Sequence, residues 1–178
     1  MFVVDSDHPG RTCDIRRQRR MCRRDRDRWR AYRQLGSALH TAGQPSRLQL
    51  QGLGEAGIAN VINLALADSD HAVADEADVL AAQGVVYHHQ PIEFSTPGRD
   101  DLNRFSATLA ACEDRPVLVH CALNMRVSAM VFLDRIERQG MMPVQALPDL
   151  LAIWTPQGPW RALIDAVLSD NGHAPLPE

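Results

Sequence analysis

In Val117-Leu118-Val119-His120-Cys121-Ala122-Leu123-Asn124-Met125-Arg126-Val127-Ser128 a thiol stands where a short apolar run ends and a helical pattern begins. Free backbone N–H groups and the positive end of a helix dipole gather at such a junction. They attract an anion and favour thiolate over thiol. Arg126 adds a planar fork of donors that can grip two phosphoryl oxygens and offset charge as a phosphoryl group transfers. A cysteine after an apolar strand is commonly just a small buried hydrophobe, and that plainer reading suits Cys112 on its helix. For Cys121, the histidine before it and the arginine after it weigh toward chemistry.

Holding a thiol at that point requires a strand before it and a scaffold around it, and the chain supplies alternating signals for both. A short strand is expected near residues 38–41, followed by a turn at Ala42-Gly43-Gln44-Pro45. Ser46 can cap a helix through Leu48, Leu50 and Leu53, with Gly57 as its stop signal. The β-branched run 58–64 suits a buried strand. A helix is expected over 75–82, stopped by Gly84, and a strand over 85–89, ended by Pro91. Leu102, Phe105 and Leu109 mark one face of a helix over 99–112. Pro116 opens the strand that leads to Cys121, and helices are expected over 127–139, 144–151 and 160–168. Strands alternating with helices predict an α/β fold with a central, mostly parallel sheet of four to five strands flanked by helices, binding its ligand at the strand carboxyl ends.

The chain has 178 residues, room for one domain of ordinary size. Its composition is that of a soluble globular protein, with no apolar run approaching the ~18 residues of a membrane span. Its 19 basic residues are all arginine. Residues 1–33 hold 11 arginines against 5 aspartates, a charge of +6, whereas the remainder holds 8 against 17 acids, a charge of −9. Residues 1–28 lack apolar periodicity and are expected to be a disordered, solvated tail. A basic arm for nucleic acid or acidic lipid is the other reading, but Asp25 and Asp27 and the absence of aromatics among the first arginines argue against it. The domain is expected over 29–170, with a flexible tail over 171–178. Cys13, Cys22, Cys112 and Cys121 form neither a zinc knuckle nor a disulfide framework, so no metal or cofactor is expected and a cytoplasmic setting is. Residues 1–4 are too short an apolar run for a secretory signal.

The residues around Cys121 resemble the signature of the protein tyrosine phosphatase superfamily: His-Cys, five residues, Arg, then Ser or Thr. Here four residues, Ala122 to Met125, separate Cys121 from Arg126, and Asn124 takes the place of the usual glycine. Asn tolerates left-handed backbone better than most residues. Together with 41–45, 61–64 and 85–89, the shortened loop is similar to the bacterial beta-lactamase-hydrolase-like phosphatase group of the dual-specificity-like branch, over about residues 30 to 168. The resemblance implies a phosphoric monoester hydrolase with Cys121 as nucleophile, Ala122, Leu123, Asn124, Met125 and Arg126 as the phosphate-binding loop, and His120 and Ser128 in support. It also implies a general acid on the loop 91–97. Glu93 is the carboxylate there, with Asp100 and Asp101 next in line.

Other candidates read as structural. Asp68 and Asp70 suit a solvated loop. His88 and His89 are neighbours on a strand, point to opposite faces and cannot jointly hold one metal. Trp154 and Trp160, near Pro156 and Pro159, suit core packing, with cleft lining as the alternative. Two functions compete with the phosphatase: a rhodanese-type sulfurtransferase, whose shorter cysteine loop suits sulfane sulfur, and a phosphate-binding pseudophosphatase. Phosphotyrosine, phosphoserine, a phosphoinositide and a small phosphate ester all fit as substrate.

Overall fold

A computed structural model of the chain describes residues 29–112 and 115–177; the arginine-rich segment 1–28 lies outside the described residues. The elements run β1 (Arg33–Gln34), β2 (Leu39–Ala42), α1 (Arg47–Gln51), β3 (Asn60–Asn63), α2 (Glu76–Ala81), β4 (Val86–His89), α3 (Arg99–Ala111), β5 (Val117–His120), α4 (Met125–Glu137), α5 (Pro143–Leu151) and α6 (Gly158–Asp170). The sheet order is β1-β2-β5-β3-β4. Four strands are parallel, and β1 pairs antiparallel with β2 at the edge. The expected α/β architecture is therefore the observed one, with β1 as an addition. Both residues of β1 are exposed, so no apolar run announces it.

The sheet is covered on both faces. On one side Ile62, Val117 and Val119 pack with Leu102, Phe105, Met130, Phe132, Ile164 and Trp160. On the other, Ala42, Val61 and Leu118 pack with Trp29, Leu50, Leu53 and Leu80. Alternate residues of one strand thus feed opposite cores, and every residue of β3 and β5 is buried. Such strands are apolar in their middles, Val61-Ile62 and Val117-Leu118-Val119, while the buried polar residues Asn63 and His120 stand at their carboxyl ends.

Local signals open α1 and close α2 where expected, whereas α1 itself ends at Gln51 with Gly52 as its cap, short of the expected Gly57, and residues 52–57 continue as turns. Ser46 accepts from the Gln49 N–H while the Gln49 side chain accepts from the Ser46 N–H, a reciprocal cap that opens α1. Gly84 has φ +71° just after α2, a left-handed conformation that glycine adopts without a Cβ penalty. Residues 171–177, expected as a tail, carry Leu176 back into the core, where the Leu176 N–H donates to Asp165 (3.0 Å).

Candidate active site

Strand β5 lies in the middle of the sheet, so Cys121 emerges between the carboxyl ends of β2 and β3. Ala42 and Asn63 both align with His120 in register. Cys121 itself is fully buried, at the floor of the loop that leads into α4. Among the described residues, the N–H groups of Ala122, Leu123, Asn124, Met125 and Arg126 donate to no acceptor. Five unpaired amides in succession at the start of a 13-residue helix are the kind of donor set that can hold an anion.

Arg126 stands in the first turn of α4, directly after these residues. It forms no ion pair among the described residues, and its buried Nε has no partner. A buried guanidinium nitrogen without an acceptor is costly, so a phosphoryl oxygen is the kind of group that would satisfy it. The guanidinium carbon sits 5.4 Å from the centre of the Phe94 ring. Phe94 in turn packs on Trp154 and Trp160, each 5.7 Å away, and its carbonyl accepts from the Trp160 indole N–H (2.8 Å). Trp160 is fully buried as packing was expected to make it, while Trp154 extends to the loop, its N–H donating to Ser128 Oγ (3.2 Å).

The shortened loop is pinned from three sides. Asn124 has φ +66°, the left-handed conformation its side chain was expected to tolerate. Its Nδ2 donates to the Ala31 carbonyl (2.7 Å) and to Thr41 Oγ1 (3.1 Å), tying the loop to the strap before β1. The Gln44 N–H donates to the Ala122 carbonyl (3.1 Å), and the Gly43 N–H to the Arg30 carbonyl (2.8 Å). Gly43 is required by space: a Cβ there would stand 2.9 Å from the Ala122 carbonyl oxygen.

Beneath the loop lies a carboxylate that sequence reasoning missed. Glu76, 4% exposed, accepts from His120 Nε2 at 2.7 Å through Oε1. Its Oε2 accepts from Asn63 Nδ2 and Gln44 Nε2, both at 3.3 Å. Asn63 also donates to the Tyr87 hydroxyl (3.0 Å), and burial together with the charge on Glu76 pushes that phenol up. Nothing local separates Glu76 from Asp75 and Asp78 beside it; only its burial does.

The other candidates are spread around this centre. Glu93 is exposed and lies next to Phe94, the residue that touches Arg126. Asp101 is occupied, accepting from the Gly98 N–H (3.0 Å) and pairing with Arg104, while Asp100 is exposed at the start of α3. Ser128 donates to the Met125 carbonyl (3.0 Å), and no hydrogen bond joins it to Cys121 among the described residues. Asp68 and Asp70 are exposed. His88 faces Cys112 (Nε2 to Sγ 4.0 Å) and His89 bonds the Ala65 carbonyl (2.9 Å), consistent with opposite faces. Burial pushes the Cys112 thiol up, with Arg115 partly opposing, as suits an inert core cysteine.

Among solved structures, Tk-PTP in its active form matches with a TM-score of 0.66 at 16% identity, over 79% of this chain and 98% of its own. TpbA of P. aeruginosa matches with 0.56 at 20% identity, over 68% and 72%. The fold is that of the protein tyrosine phosphatase-like enzymes. A protein of Shewanella putrefaciens CN-32 called "Putative phosphatase (DUF442)" is similar at 31% identity and a TM-score of 0.70, over 82% of this chain and 93% of its own. The chain belongs to this DUF442 family. No family model matches, and no curated protein does.

Proposed function

We propose that this protein is a phosphatase that hydrolyses phosphate monoesters through a phosphocysteine formed on Cys121. One observation carries the reading: five acceptor-free amides in succession follow a buried thiol at a helix N-terminus, and the first turn of that helix bears a guanidinium whose buried Nε has no partner. The names of its DUF442 and tyrosine phosphatase-like relatives support it, and TpbA is seen in complex with pTyr. The loop has the His-Cys, four residues, Arg spacing of the beta-lactamase-hydrolase-like group, within the dual-specificity-like branch.

In this mechanism the amides of Ala122 to Arg126 and the Arg126 fork bind the phosphoryl oxygens and stabilise the charge that spreads over them in transfer. The Cys121 thiolate attacks phosphorus, the P–O ester bond breaks, and Glu93 gives its proton to the departing oxygen. Water then attacks the phosphocysteine, Glu93 takes back a proton, the P–S bond breaks, and inorganic phosphate and the thiolate are released. His120 and Ser128 support the loop. Because the nucleophile must stay reduced, we place the protein in the cytoplasm. Among the described residues no helix is long and apolar enough to cross a membrane.

The test is aryl-phosphate hydrolysis beside thiosulfate-to-cyanide sulfur transfer. Wild type should hydrolyse the ester, and Cys121→Ser should fold yet lose turnover, since a hydroxyl ionises far less readily than a thiol. Retained turnover in that variant, or sulfur transfer outpacing hydrolysis, would refute the reading.

A further inference from the structure

We infer that Glu76 is a positioning residue for the phosphate-binding loop, acting through His120 and Gln44. The inference rests on the phosphatase reading above and adds to it a residue that no motif marks. A buried carboxylate is costly unless donors surround it. Glu76 has three, and each comes from a different carboxyl end of the sheet: Gln44 after β2, Asn63 at the end of β3 and His120 at the end of β5. Two of these lead directly to the loop. His120 immediately precedes Cys121, and the Gln44 N–H holds the Ala122 carbonyl. A carboxylate only accepts, so its 2.7 Å contact places the proton on His120 Nε2 and sets the ring's orientation. His120 Nδ1 is buried without a partner among the described residues, which leaves Glu76 as the polar anchor of that ring. One side chain thereby locks the residues on both sides of the sheet's central junction.

Positioning and plain electrostatics make opposite predictions. The negative charge of Glu76 disfavours a nearby thiolate, so removing that charge through space would promote ionisation of Cys121. Removing an anchor instead lets the loop amides swing off the thiolate and disfavours it. The other charged or titratable groups around the pair are Tyr87 with His89 stacked on it, Arg126, Arg30 against Gly43, and Asp75 and Asp78 on the helix of Glu76; Asp75 is paired with Arg47. Glu76→Gln leaves all of them in place.

The experiment measures alkylation of Cys121 by iodoacetamide against pH, followed by mass spectrometry of its peptide, on wild type, Glu76→Gln and Glu76→Gln/Asn63→Asp, with melting temperature alongside. In Glu76→Gln the new NH2 group faces the Asn63 and Gln44 donors in place of an acceptor, which displaces the side chain from its anchoring position, so the midpoint should rise by about one pH unit, a tenfold loss of reactive thiolate below it. In the double variant the new amide can donate to the new carboxylate while its oxygen still accepts from His120, so the midpoint should return to the wild-type value. A midpoint in Glu76→Gln that is unchanged or lower overturns the inference, as does a double variant that folds yet stays shifted. Should the single variant not fold, the double variant decides: a wild-type midpoint supports the inference and a raised one overturns it. If wild-type Cys121 itself alkylates only at alkaline pH and no ester is hydrolysed, the phosphatase reading has failed instead.

Discussion

Replacing Gly43 by alanine tests whether the loop's position, rather than its composition alone, governs turnover. The added Cβ would lie 2.9 Å from the Ala122 carbonyl oxygen and 3.0 Å from Cγ and Cδ of Arg30, where ordinary contact begins near 3.4 Å. The arginine side chain can swing aside. The carbonyl belongs to the loop, bonded to the Gln44 N–H at 3.1 Å, and must retreat by about 0.5 Å. Overpacking of this kind costs ~1–3 kcal/mol. A displacement of ~1 Å at a reacting centre costs ~10²-fold, so half of it predicts roughly a tenfold fall in kcat/KM. Gly52→Ala is the control: its Cβ would meet nothing closer than 3.8 Å, and its φ of −96° suits any residue. Aryl-phosphate kinetics and thermal melts on both variants give the comparison. Full activity in Gly43→Ala, or equal losses in the two variants, would refute the argument.

Arg126→Lys should lower kcat/KM by ~10²-fold or more, because a point charge cannot reproduce the bidentate fork; a variant within about threefold of wild type would mean the guanidinium faces elsewhere. Glu93→Gln should lose ~10²-fold on an alkyl phosphate, whose leaving oxygen needs a proton, and much less on a nitrophenyl ester. Equal losses on both would assign Glu93 to binding, and no loss would move the acid to Asp100 or Asp101. Deleting residues 1–28 should change neither kcat/KM nor melting temperature, and a large drop in melting temperature would show that the segment packs. Extending the deletion through residue 34 should abolish activity, since it removes buried Trp29 and the Arg30 and Ala31 carbonyls that hold Gly43 and Asn124.

What the sequence determined by itself is what short-range physics encodes. The apolar run before Cys121, the Ser46 cap, Gly84 after α2 and the spacing of Leu102, Phe105 and Leu109 are signals between residues no more than four apart, and each stands in its expected element. The left-handed turn at Asn124 belongs to the same class, because backbone sterics at one residue decide it. The partners of those residues are another matter. Glu76 meets His120 across 44 residues, and Asn124 meets Thr41 across 83. Phe94 came to rest on Arg126 because Trp160 holds its carbonyl from α6. The two exposed residues of β1 pair only because β2 offers them an edge. Such contacts carry no periodicity and no local composition. They exist because a parallel sheet brings the carboxyl ends of distant strands to one rim, so the places of Cys121 and Arg126 between strand and helix were legible in the chain, while the residues packed around them were decided by the order of the strands.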